Sequence, residues 1–218
     1  MAVLGRKSIG IKICCFSGGV FLHCAKCALK KCYIEGKNCT DMDTATVEGV
    51  YGIKQLAIMK AAACTEANAY NRLTRLEETV EFCNGMGYKK LGLAFCIGLA
   101  EEAKLIECYL SKFFQVSSVC CKVCGVAKAD FELDQIKPKA RETMCNPMIQ
   151  ATILNKSEVE FSITVGLCVG HDALFTQACE MPVSCMVAKD RVLGHNPLGA
   201  VYSRYWRKKL GIQPENQV

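Results

Sequence analysis

No stretch of this 218-residue chain approaches the roughly 20 uninterrupted apolar residues that a bilayer-spanning helix requires, so no membrane span is expected. The opening "MAVLGRKSIGIKICCFSGGVFLHC" sets early basic residues beside apolar stretches, yet Lys12 interrupts it and no small-residue cleavage pattern follows. No export signal is read there, and the cytoplasm is the expected compartment. A strong charge of one sign is also missing: 27 basic against 21 acidic residues leave +6, too mild to imply nucleic acid. There is no Walker loop, no complete dinucleotide fingerprint and no serine nucleophile elbow, which removes the usual sequence grounds for nucleotide binding or serine hydrolysis.

What the chain has in abundance is cysteine, 17 in all. In a reducing compartment, close-spaced cysteines mean metal ligation or thiol chemistry more often than disulfides. The densest group is "CAKCALKKCYIEGKNCT", with Cys24, Cys27, Cys32 and Cys39. This segment has neither helical nor strand period and is too short for a core of its own, so a metal would have to supply its order. Four thiolates match a closed tetrahedral zinc site, and a cubane iron–sulfur cluster accepts the same number. The spacing does not separate the two. His23 is a possible substitute ligand that is more often incidental.

Residues 45–85 read as helical, with Thr74 and Glu77 in capping-box spacing. From residue 89 the pattern alternates. "KKLGLAFC", "QVSSVCC", "EFSITVGLC" and "PVSCMVAK" read as strands. Between and after them lie helices in "GLAEEAKLIECYLSKFF", "NPMIQATILNK", "HDALFTQAC" and "NPLGAVYSRYWRKKL", with a polar connection before the second. Asn146 and Pro147 are placed to open a helix. Such alternation means an α/β fold on a mainly parallel sheet with flanking helices. The expected organisation is an extension over 1–23 outside the folded body, a cysteine knuckle over 24–40, an α/β domain over 41–212 and a tail over 213–218.

"AFCIGLA" and "GLCVGHD" both run an apolar stretch into a cysteine, an Ile or Val and a glycine. In open α/β sheets the carboxyl ends of the strands form the ligand crevice, and Cys96, Cys121, Cys124 and Cys168 fall at such ends. If the first and third strands are neighbours, Cys96 and Cys168 face one another, with Gly98 and Gly170 expected to turn the chain into helices whose free N–H groups favour anions. With Cys145 these residues form a candidate cofactor-binding set, and Cys120, Asp190 and His195 lie near the same ends. Cys145 or Cys168 is the candidate nucleophile, His171 the candidate base and Lys189 the candidate anion-binding group. Asp172 is expected to cap its helix. Cys121-Lys-Val-Cys124 by itself is a weak redox signal, because no apolar helix begins directly after Cys121. Cys64, Cys83, Cys108, Cys179 and Cys185 are read as packing. Tyr202, Tyr205 and Trp206 among Arg204, Arg207, Lys208 and Lys209 are expected to pack inward while the charges face water, so no nucleic acid partner is expected.

"GYKKLGLAFCIGLAEEAK", "SSVCCKVCG", "MCNPMIQATILN", "VGLCVGHDALF" and "VAKDRVLGHNP" together resemble an uncharacterised cysteine-rich family, labelled metal-binding protein and classed as a domain of unknown function. The resemblance runs from about Cys24 to Leu210, and the first 22 residues, with Cys14 and Cys15, have no counterpart in it. It implies a zinc site at Cys24, Cys27, Cys32 and Cys39, and no reaction. Three functional readings follow: a metalloprotein for metal handling or electron transfer, with zinc in the knuckle and a second metal site, iron–sulfur being one candidate, at the strand ends; a thiol-dependent enzyme; or a module that contacts a protein partner through the knuckle.

Overall fold

The computed structural model describes residues 22–212, so the expectations for Cys14, Cys15, most of the 1–23 extension and the 213–218 tail lie outside the described residues. The chain divides into two compact units, Met1–Gly52 and Ile53–Val218.

In the described part of the first unit, a 3-10 turn over Cys24–Lys26 precedes two short helices, α1 (Lys31–Ile34) and α2 (Thr44–Val50). Helix α2 starts where it does because the Asp43 carboxylate accepts the Thr46 N–H at 2.8 Å, a bond that also holds that carboxyl below its ordinary pKa. Asn38 orders the turn before it, accepting from the Thr40 N–H at 2.8 Å. None of residues 22–52 is buried. Local hydrogen bonds therefore shape this segment and no apolar core does.

The second unit begins with α3 (Ile53–Ala69) and α4 (Arg75–Gly85). The capping box read from the sequence is formed: Thr74 Oγ1 accepts from the Glu77 N–H, and the Glu77 carboxylate accepts from the Thr74 N–H at 2.8 Å. Strands and helices then alternate as β1 (Lys90–Phe95), α5 (Ala100–Leu110), β2 (Gln115–Cys120), α6 (Pro147–Lys156), β3 (Phe161–Val165), α7 (Val169–Ala178) and β4 (Val183–Val187). The four strands make one sheet in the order β2-β1-β3-β4, every neighbouring pair parallel. This is the expected α/β fold.

Burial follows position in the sheet. Every residue of the central β3 is buried, as are Leu91 to Ala94 of β1, whereas the edge strands β2 and β4 are largely half-exposed. Alternation along each strand sorts side chains between two cores. Leu91, Leu93, Ile163 and Val165 face α4 and α5 through Val80, Cys83, Ala103 and Leu110. Ala94, Cys96, Val119 and Cys121 face α6 and α7 through Ala151, Leu154 and Phe175.

Some local expectations change. The last helix is two, α8 (Gly199–Tyr202) and α9 (Arg204–Lys209), because Ser203 is extended and caps α9 by accepting from the Trp206 N–H. Tyr202 and Tyr205 are exposed and only Trp206 is half-buried, with the Lys209 ammonium 4.5 Å from its ring centroid. Cys64 and Cys108 are also exposed, since their helices turn those positions to water, while Cys83 is fully buried and Cys179 and Cys185 are half-buried. Among the described residues, no helix is long and apolar enough to cross a membrane.

Candidate functional site

Strand order determines where a crevice opens. From β1 the chain goes out to β2 on one side and returns to β3 on the other, so the order reverses between β1 and β3. Cys96 follows β1 directly, Cys121 follows β2 directly, and Cys168 lies three residues beyond β3, one residue before α7. Cys96 continues the parity of Ala94, and Cys121 that of Val119, which puts both sulfurs on the sheet face that carries α6 and α7. Cys145 sits two residues ahead of α6, and Cys168 is the residue before α7. The same sheet face and the same sheet end thus receive Cys96, Cys121, Cys145 and Cys168.

Each of these sulfurs has an N–H donor. The Lys189 ammonium lies 3.3 Å from Cys96 Sγ, the Ile97 backbone N–H 3.3 Å from Cys121 Sγ, the Lys122 ammonium 3.3 Å from Cys145 Sγ, and the Arg191 guanidinium 3.0 Å from Cys168 Sγ. Sulfur that accepts from cations and backbone amides is stabilised as thiolate. Of the four, Cys145 is the one held as thiolate. Its pKa is pushed well down, first by a hydrogen bond from the Cys121 thiol, then by the Lys122 hydrogen bond and charge, with a smaller contribution from His171. Cys121 is pushed up in turn, by donating to Cys145 and by burial, so of this pair Cys145 carries the charge. Arg191 is raised by its bond to Cys168. Elsewhere burial alone pushes Cys83 up to about 12 and Cys179 up to about 11, as expected of thiols that serve packing.

Several expectations about individual residues are corrected. Gly98 lies in the 3-10 turn that leads into α5 and Gly170 in the first turn of α7, neither at positive φ; the backbone that needs glycine is Gly166, at φ +63°, where a Cβ would run into the Leu99 side chain. Asp172 does not cap α7. It lies a turn inside that helix, where its N–H donates to the Cys168 carbonyl at 2.8 Å, and its buried Oδ1 has no partner among the described residues. Lys189 is bonded to Cys96. His195 closes the turn after β4, its Nδ1 accepting from the Asp190 N–H at 3.1 Å. Cys124 is exposed, in a left-handed conformation at φ 69°, and makes no hydrogen bond with the four gathered sulfurs.

Lys122, Arg191 and Gln150 were not among the residues singled out from the sequence. Gln150, fully buried on α6, donates through Nε2 to the Val119 carbonyl at 2.7 Å and the Phe95 carbonyl at 3.3 Å, tying together the ends of β2 and β1 that lead into Cys121 and Cys96. The signal for Lys122 was available as a basic residue two places beyond the end of β2, whereas Arg191 lies four places beyond β4.

The leading cysteines are a different case. Cys24, Cys27, Cys32 and Cys39 are all exposed, and Cys39 Sγ donates to its neighbour's carbonyl, that of Lys37, at 3.6 Å. Among the described residues, no group of three or more His, Cys, Asp or Glu side chains is drawn together so as to hold a metal ion, in this segment or at the strand ends.

Comparison with known proteins places this arrangement in a family. Residues 35–186 match the family described as Protein of unknown function (DUF1847). The chain belongs to that family. The match begins just after α1 and runs from α2 into β4, and so includes Cys96, Cys121, Cys145 and Cys168. A relative in Methanocaldococcus jannaschii, "Uncharacterized protein MJ0455", is 47% identical over 190 residues, 87% of this chain and 98% of the relative.

Proposed function

We propose that the strand-end mouth is the working site of this DUF1847 protein and that it performs thiol chemistry, with Cys145 as the nucleophile. The observation that carries this reading is the pairing of four sulfurs from four loops with four N–H donors at one end of the sheet. Buried cysteines that merely fill space need no ammonium or guanidinium beside them. Lys122 has the role of holding Cys145 as thiolate, itself fixed by donating to the Thr143 carbonyl at 2.6 Å. A nucleophile already charged needs no separate base, so the role assigned to His171 is electrostatic. Lys189 and Arg191 donate to Cys96 and Cys168 and fix those sulfurs at the mouth. The test is brief alkylation of the native protein with iodoacetamide followed by peptide mapping. Cys145 is expected to react first, ahead of the exposed Cys64 and Cys108; equal rates at all three would overturn the assignment.

A second reading concerns the leading segment, where a metal, zinc or an iron–sulfur cluster, is proposed at Cys24, Cys27, Cys32 and Cys39. It is supported by four exposed thiols in a stretch where nothing is buried, so that residues 24–40 lack a core to order them. Zinc would contribute order and no open position for chemistry. Leu29, Tyr33 and Ile34, exposed in the same stretch, would then be presented to a protein partner. Anaerobic purification with analysis for zinc, iron and sulfide tests this, and protein that retains no metal would sink it.

A further inference from the structure

Cys121 lies three residues before Cys124 in the sequence, yet the thiol it hydrogen-bonds is that of Cys145. The Asn146 N–H donates to the Cys121 carbonyl at 2.8 Å, and the Met144 N–H to the Val126 carbonyl at 2.9 Å, so the backbone flanking Cys145 is pinned on the turn that Cys121 opens. Lys122 closes the arrangement, reaching Thr143 and Cys145 from the residue next to Cys121.

The two thiols have unlike surroundings. Cys121 is 2% exposed and its sulfur accepts the Ile97 N–H, whereas Cys145 is half-buried, with an ammonium at its sulfur. A reactive dithiol needs this division: one thiol that is charged and accessible, and one that is protected from bulk solvent until its neighbour has reacted.

We propose that Cys145 and Cys121 form a dithiol pair that reduces small-molecule disulfides, Cys145 attacking and Cys121 resolving. This rests on the reading of Cys145 as nucleophile. The Cys145 thiolate attacks one sulfur of the substrate disulfide; its S–S bond breaks, one thiolate leaves and takes a proton from water, and a mixed disulfide remains on Cys145. Cys121 then loses its proton to water and attacks Cys145 Sγ. The second substrate thiolate leaves and is protonated, and a Cys121–Cys145 disulfide is left. Two electrons have passed from the protein dithiol to the substrate, and a thiol reductant returns the pair to its starting state.

The experiment uses the full chain, reduced and handled without oxygen, exposed briefly to oxidised glutathione, quenched in acid, alkylated and mapped by mass spectrometry. The expected result is joint loss of Cys121 and Cys145 from the alkylated pool, recovered as a linked peptide pair, with Cys121→Ser instead retaining glutathione on Cys145. Wild-type protein that keeps glutathione on Cys145 while Cys121 remains free for alkylation would overturn the resolving role and leave the nucleophile standing. Glutathione on other cysteines with Cys145 untouched would overturn the nucleophile itself. The wild-type measurement decides between these outcomes whether or not the Cys121 variant folds.

Discussion

The two cysteine-rich regions of this protein are built on opposite plans. In the leading segment, Cys24, Cys27, Cys32 and Cys39 are close in sequence, yet all four are exposed and nothing around them is buried. At the strand ends, Cys96, Cys121, Cys145 and Cys168 are far apart in sequence, yet sheet parity and strand order bring them to one face, each with a donor at its sulfur. The folded core supplies the convergence in the second region. In the first it must come from something else, and that is why a metal is proposed there and thiol chemistry at the mouth.

The sharpest way to break the comparison is to remove the proposed metal. Chelation, or Cys27→Ser, is expected to strip it and abolish hydrogen-exchange protection across residues 24–40, since structural zinc contributes about 10 kcal/mol or more to such segments. Alkylation of Cys145 should be unchanged. The converse perturbation is Phe175→Ala, which empties a fully buried site beneath the mouth and should lower unfolding stability by about 3–5 kcal/mol in denaturant titration. Tyr33→Ala in the first unit, at an exposed position, should change it by about 0.5 kcal/mol or less.

Effects on reactivity come next. Cys145→Ser should delete the thiol that goes on alkylating in mild acid, at pH values where ordinary thiols, only a few per cent ionised even at neutral pH, have stopped reacting. Lys122→Met should move the pH at which Cys145 loses its alkylation rate upward by about one unit, as loss of an interaction of about 1.4 kcal/mol would, with Cys121 left as its main support. Smallest is Gln150→Leu. It should leave the fold intact while loosening the β1 and β2 ends, seen as a modest slowing of Cys145 and faster exchange at the Ile97 and Cys121 amides.

The alternation of apolar runs and helical stretches made the α/β fold legible, and the position of Cys96, Cys121 and Cys168 at the carboxyl ends of the strands made those sulfurs legible too. Thr74 and Glu77 announced their helix correctly because a capping box is a purely local device. The failures were at residues whose role depends on partners distant in sequence. Lys189 reaches from the end of β4 to Cys96 at the end of β1, and Arg191 reaches back to Cys168, pairings that no local pattern encodes. Cys124 looked like the partner of Cys121 by spacing, but the turn sends it to solvent and the long connection returns Cys145 in its place. Asp172 was misread because the helix starts four residues earlier than a cap at that position requires.

The most direct test of the central claim is the pH dependence of alkylation at Cys145, resolved by peptide mapping. Because this thiol's pKa lies below that of an ordinary cysteine, it is already charged at neutral pH and becomes protonated only as pH falls through that lowered value. The account predicts that its rate stays level as pH drops through about 8.5, where free thiols lose theirs, and falls only in acid. A Cys145 rate that declines in step with the exposed Cys64 and Cys108 would contradict it.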